Sequence, residues 1–209
     1  MKRALLGILL VTSALMVPDC SGRSGDQAEG AALRGRDLIL AVADSLDGSH
    51  VGVFGYPRAT TPFLDGLAAS GAVLERSISQ TSWTMSSVVS LLTGMGQEAH
   101  GVLRIEQSLP VDGPSTLAEL FQRRGYRTVG LIQNAVIAEG AGLERGFDRY
   151  DSFPFTEEGA DELIARVRAV AAEDDRQRPL FLYVHLGPPH MPYQLVPEKY
   201  VDRYAGKTA

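Results

Sequence analysis

One cysteine, Cys20, is all the chain holds, so no intramolecular disulfide can staple it. No stripe of lysine or arginine runs along it either. Twenty basic residues against 25 acidic ones leave a net charge of -5, spread along the sequence, and nothing in that distribution points to nucleic acid. So small an acidic excess excludes no anionic substrate, because local charge decides that question. There is no internal repeat. The one sustained apolar run, Ala4 to Val17, is too short and too early for an ordinary membrane span.

What is present starts with that run. Lys2 and Arg3 precede it, and a basic head before a short apolar stretch is the pattern of an export signal. A buried N-terminal helix would show a polar face, and this stretch has none. Cys20 follows directly, with Ser21 and Gly22 behind it. Two readings stand: a lipoprotein signal, with Cys20 lipidated and holding the protein to a membrane, or a plain cleaved signal. Asp19 departs from the small residue usual in the first. Either places the mature protein outside the cytoplasm, periplasmic or membrane-anchored. The expected organisation is an export signal over residues 1–20, a flexible linker over 21–36, and one folded domain over 37–209. A chain of 209 residues is long enough for a sizeable core.

Within the domain, Leu38 to Ala43 and Leu180 to Leu186 are short continuous apolar runs, the mark of strands buried on both faces. Val73 to Ile78 and Thr128 to Ile132 read as further strands. Helices are predicted after Thr61-Pro62, over Met85 to Thr93, after the Thr116/Glu119 capping box, and from near Thr156. Alternating strands and helices mean a parallel sheet with helices on both faces. In such folds chemistry gathers at the carboxyl ends of the strands. Asp44, Thr84, Gln133-Asn134 and His190 all follow strands.

Each of these has two readings. Asp44 is a loop aspartate capping its own turn, or a carboxylate compensated by a divalent cation. Thr84 is an N-cap, or a hydroxyl nucleophile at a helix end that suits an anion. His190, in Gly-Pro-Pro-His-Met-Pro-Tyr, is a bare loop histidine, or a proton donor and anion contact. His185, inside the apolar strand, reads as a satisfied structural residue.

Several segments, in order, resemble the N-terminal half of a sulfatase, in the alkaline-phosphatase-like superfamily. They are DLILAVADSLDGSHVGVFGY from Asp37, TTPFLDGL from Thr60, QTSWTMSSVVSLLTG from Gln80, and His100-Gly101-Val102. Gly146 to Asp151 resembles the family's Gly-Phe-Asp-x-Tyr-Asp turn, and FLYVHLGPPHMPY from Phe181 its strand and His-x-Pro-Tyr loop. The resemblance implies a three-layer α/β/α sandwich with a mostly parallel sheet, incomplete at its C-terminal end. It implies an exported hydrolase or transferase of sulfate or phosphate esters of a small molecule, glycan or lipid. Asp44 and Thr84 would bind a divalent cation (Ca, Mg, Mn or Zn), Thr84 would be the nucleophile, His190 would assist the leaving group, and Asn134 would contact the substrate.

The departures limit this. Sulfatases carry Cys or Ser in a C/S-x-P-x-R motif and convert it to formylglycine. Here the three positions are Thr84, Ser86 and Val88, which removes formylglycine chemistry and resembles phosphodiesterase and phosphotransferase relatives instead. Ser45 stands where many relatives have a second aspartate, and Asp47 where arginine is frequent. The family's remaining metal ligands lie beyond the His-x-Pro loop. The chain as given therefore reads as a fragment of a metal-dependent enzyme, or as a non-catalytic binding protein that keeps the fold.

Overall fold

The computed structural model describes residues 7–9, 35–156, 159–173, 175 and 177–192. Cys20, residues 21–34 of the linker, Glu157, Glu158 and Tyr193 lie outside them, so the signal and lipidation readings rest on sequence alone. Among the described residues five strands form one all-parallel sheet: β1 (Gly7–Leu9), β2 (Leu38–Ala43), β3 (Arg127–Ile132), β4 (Arg149–Ser152) and β5 (Leu180–Leu186), in the spatial order β1-β2-β5-β3-β4. The last strand in sequence thus lies between the second and third. Val42 and Ile132 both pair with His185.

Side chains on β5 alternate between two cores, as the twofold period of a strand requires. Phe181 and Tyr183 join one cluster with Leu40 and the helix-borne Met85, Val88 and Leu92. Leu182 and Val184 join the other, with Val129, Leu131, Leu163 and Val170. The first layer is built by α2 (Thr84–Thr93), α3 (Gln97–His100) and α4 (Leu117–Arg123), and the second by α5 (Gly159–Ala172). A short helix, α1 (Pro62–Ala68), lies ahead of them in sequence. This is the expected three-layer α/β/α arrangement.

Local sequence explains the elements. Met85, Val88, Val89 and Leu92 recur at helical spacing on α2 and are all at most 3 % exposed, each contributing about 1.5–3 kcal/mol. Gly94 stops the helix at φ 68°. The capping box of α4 is complete: Thr116 Oγ1 accepts from Glu119 N at 3.1 Å, and Thr116 N donates to Glu119 Oε2 at 2.7 Å. Arg127, at the start of β3, ties α5 to the sheet through Glu173 and through the Val170 carbonyl at 3.0 Å.

Two expectations change and a third meets residues outside the described ones. Val73–Ile78 forms no strand: Val73, Leu74 and Ile78 are 37, 48 and 71 % exposed, and no neighbouring strand among the described residues offers a ladder. The last helix is described from Gly159, and its expected start near Thr156 runs into residues 157 and 158, outside the described ones. Thr61 sits at the N-cap of α1 without making a cap bond. Its hydroxyl instead accepts from Gly52 N at 2.9 Å and donates to Asp65 Oδ1 at 3.2 Å, fixing the loop after β2.

Gly146, at φ +83°, lies so close to α4 that a Cβ would meet Glu119 N at 2.2 Å and its Cα at 2.5 Å. Gly146→Ala combines a left-handed strain with a backbone collision. It is expected to lower the urea midpoint far more than Val111→Ala, at a side chain 91 % exposed.

His100 couples α3 to α2. Val102 N donates to Nδ1 at 3.1 Å, so the ring proton sits on Nε2 and is given to Ser90 Oγ at 2.9 Å. Burial holds this imidazole below the ordinary histidine range. The unfolded chain then binds the proton first as pH falls, so the stabilisation is fully present above about pH 6.5 and declines below it. Urea unfolding at pH 7.5 and 5.5 should show wild type losing more stability than His100→Gln.

Candidate active site

The carboxyl ends of β2, β5 and β3 lie side by side, and each supplies one polar group to the same spot. Asp44 follows β2 directly, its N–H continuing the ladder to Leu186 O at 3.0 Å. Its carboxylate is 8 % exposed. Oδ2 accepts from Asn134 Nδ2 at 2.7 Å, from His185 Nε2 at 3.3 Å and from Thr84 Oγ1 at 3.4 Å. Oδ1 accepts from Ser45 Oγ at 3.1 Å. Burial alone would raise this carboxyl's pKa. The hydrogen bonds from His185, Ser45 and Asn134, with the attraction of the imidazole, outweigh it and hold the group below the usual carboxylate range. Asp44 is therefore an anion at neutral pH. Among the described residues its side chain accepts no backbone N–H of its own turn; instead it is where three strands and a helix converge.

Thr84 arrives from the other side. It is the first residue of α2, and Trp83 takes the N-cap position without a side-chain bond. The N-cap reading of Thr84 is thus replaced: its hydroxyl is turned to Asp44, and the amides of the first turn stay available to an anion. Asn134 is oriented by its own backbone. Oδ1 accepts from Val136 N at 2.8 Å, capping a short 3-10 helix at Ala135–Ile137, and this aims Nδ2 at Asp44.

His185 is the residue that sequence reasoning assigned to structure alone. It is 1 % exposed, and Tyr183 OH lies 2.9 Å from its Nδ1. Burial holds the Tyr183 phenol well above its ordinary pKa, helped by Tyr150 and Asp44, so the hydroxyl stays protonated. The signal available was a polar residue two positions after Tyr183 on one face of an otherwise apolar strand. His190 is partly exposed on the loop after β5 and donates from Nδ1 to Met191 O at 2.6 Å. It lines the same cleft as Asp44 and Thr84 rather than joining their cluster.

That cleft holds about 2380 Å³ and is walled by Phe54, Leu64, Trp83, Leu91 and Phe155. Among its described lining residues there is no lysine or arginine. Val88, where the sulfatase motif has arginine, is 3 % exposed and packed into the core. Ser86 Oγ, at the proline position, is buried without a partner. Among the described residues no group of three or more His, Cys, Asp or Glu side chains gathers. Asp44, His185 and the Thr84 hydroxyl are the donors that converge, and their chemistry fits a divalent cation in part.

The sulfatase family model matches residues 36–209. The chain is 35 % identical to human arylsulfatase A over 60 % of its own length and 27 % of that protein's. It is 30 % identical to human N-sulphoglucosamine sulphohydrolase over 75 % of its length and 32 % of that protein's. It is also 32 % identical to an arylsulfatase of Clostridium perfringens, over 44 % of this chain and 19 % of that one. The chain thus spans no more than about a third of the length of these relatives.

Among solved structures, BT4656 in complex with its substrate D-glucosamine-2-N,6-O-disulfate superposes with a TM-score of 0.66 at 18 % identity, over 74 % of this chain and 34 % of that one. The phosphonate monoester hydrolase of Agrobacterium radiobacter gives 0.63 at 20 % identity, over 78 and 43 %. These likenesses bear out the fold. With the family pattern running through almost the whole folded region, the chain belongs to the sulfatase family.

Proposed function

We propose that this chain carries the nucleophile side of an exported ester hydrolase that cleaves a sulfate or phosphate ester of a small molecule or glycan, with Thr84 as nucleophile. One observation carries the reading. The Thr84 hydroxyl stands at the head of a ten-residue helix, 3.4 Å from a buried, ionised carboxylate. A divalent cation held by Asp44 and Thr84 would supply Lewis acidity, lowering the pKa of the hydroxyl.

The residues do the rest. Thr84 Oγ attacks sulfur or phosphorus in line, its proton passing to solvent water in the cleft, and the bond to the leaving alcohol breaks. His190, across the cleft, gives that alcohol a proton. Water then hydrolyses the Thr84 ester and restores the enzyme. The free amides of α2's first turn hold the anionic oxygens of the substrate, and Asn134 faces the same oxygens. The sugar sulfate bound to BT4656 and the name of the monoester hydrolase support the substrate class. The basic, apolar leader supports export, and Cys20 supports attachment to a membrane through a lipid.

A second reading has its own observation. Val88, Ser86 and Ser45 each replace a polar or shaping group of the family, and Val88 is sealed in the core. A non-catalytic binding protein tolerates all three.

Turnover of aryl sulfate, aryl phosphate and phosphonate monoesters separates the two. The hydrolase reading expects Thr84→Ala to lower kcat/KM by about 10³-fold or more, Thr84→Ser to retain part of it, and a chelator to abolish it. Full activity in Thr84→Ala would remove the nucleophile assignment. Ester binding without turnover by a full-length protein that carries this chain would establish the second reading.

Restoring the family's arginine is expected to fail in either case. Val88→Arg places an unpaired charge in the core and should cost more than about 2 kcal/mol in chemical denaturation, with no gain in turnover.

A further inference from the structure

We infer that His185 is itself a cation ligand, and that its nitrogen gives the site a preference for zinc over calcium or magnesium. The inference rests on the proposed cation at Asp44 and Thr84 and adds to that site a donor of a different kind.

The geometry points there first. His185 Nε2 and Thr84 Oγ1 lie 3.3 and 3.4 Å from the same carboxylate oxygen. Two donors sharing one tetrahedral zinc, with bonds of about 2.0–2.1 Å, stand about 3.3–3.4 Å apart. Each of these two donors therefore stands from Asp44 Oδ2, through its hydrogen bond, at the spacing that neighbours around one ion have. Asn134 does not compete for the role. Its carbonyl oxygen is engaged by Val136 N, so it presents the amide N–H₂ to Asp44 and acts as a hydrogen-bond donor that steers the carboxylate.

The support behind the imidazole is of the kind metal-bound histidines have. The nitrogen facing away from the site is fixed by a hydrogen bond, here Nδ1 with Tyr183 OH at 2.9 Å, and Tyr183 is fully buried. Ligation uses the Nε2 lone pair, so the single ring proton moves to Nδ1 and is given to the Tyr183 oxygen. The backbone is fixed as well, since β5 is an interior strand and His185 pairs with Val42 on one side and Ile132 on the other. Little has to move for the ring to serve.

Burial supplies the second argument. Phe181 and Tyr183 on the same face of β5 show what this core accepts. An imidazole there loses water on all sides and regains one partner at each nitrogen. Its placement beside a carboxylate at the end of the sheet gives it access to a cation through that carboxylate. Carboxylate, hydroxyl and water alone suit Ca²⁺ and Mg²⁺; an imidazole nitrogen moves the preference toward Zn²⁺.

The test is calorimetric titration of the 209-residue chain with Zn²⁺ and with Ca²⁺, each ion alone, in wild type, His185→Gln and His190→Gln. One Zn²⁺ should bind at least about 100-fold more tightly than Ca²⁺. His185→Gln should weaken Zn²⁺ by about 10–100-fold and leave Ca²⁺ unchanged, while His190→Gln changes neither. Because a buried substitution risks the fold, a second measurement needs none at His185. With the exposed rings removed by His50→Gln and His190→Gln, bound Cu²⁺ should show the pulsed-EPR nitrogen couplings of one imidazole. Zn²⁺ affinity unaffected by His185→Gln, or Cu²⁺ without imidazole coupling, would overturn the inference and leave a cation at Asp44 standing. No cation bound by wild type would remove the proposed cation as well.

Discussion

A carboxylate that is ionised and 8 % exposed at the end of an apolar strand is the constraint around which this structure is arranged. Burying such a charge without partners is far more costly than a domain's whole stability tolerates. The chain meets the cost with four donors, from Ser45, Asn134, His185 and Thr84, on four different parts of the fold. Only the inserted position of β5 makes this arrangement workable. With β5 between β2 and β3, His185 comes level with Val42 and Ile132, two residues short of Asp44 and two short of Asn134 on the flanking chains.

The helix layer answers to the same point. Met85, Val88, Val89 and Leu92 fix α2 against the sheet, and the register of those four residues decides where the first residue of the helix falls. It falls at Thr84, beside Asp44. Had Thr84 capped the helix, its hydroxyl would have been spent on a backbone amide of its own first turn. Trp83 occupies the cap without a side-chain bond, which frees both the Thr84 hydroxyl and the first-turn amides. Core packing and site geometry are therefore one problem on this helix, and Val88 shows the consequence. A position given to the core cannot also present a cation to a substrate.

Much of this was legible beforehand. LILAVA and LFLYVHL declare interior parallel strands by being apolar without interruption, and both are observed with the bounds read from sequence. Thr116 and Glu119 declare a helix start by reciprocal capping. Asp44, Thr84 and Asn134 stood out because each is polar just after a strand or at a helix head, and the fold brings the latter two within 3.4 Å of Asp44 Oδ2. What escaped was set by tertiary context. Val73 to Ile78 has the composition of a strand, yet a strand needs a partner that composition does not reveal. Arg149–Ser152 has little apolar content and exists because β3 offers it an edge. His185 reads from sequence as a satisfied structural residue, and both its nitrogens do have partners; that one of them is a residue 141 positions away appears only once strand order is known.

The two fully buried histidines make the last distinction. His100 spends its Nδ1 lone pair on a backbone N–H and its Nε2 proton on Ser90 Oγ, both close in sequence. Both nitrogens are committed to neutral partners, so the ring serves as a rigid clip between two helices and cannot take up a charge without breaking a bond. His185 has one nitrogen held by a neutral hydroxyl and the other turned toward an anion. An imidazole so placed can shift its proton to the hydroxyl side and present a lone pair where the negative charge lies. Equal burial thus gives opposite roles, and the sign of the nearest partner decides which. In this fold that partner is Asp44, and the capacity to hold a cation resides in the pair rather than in either residue alone.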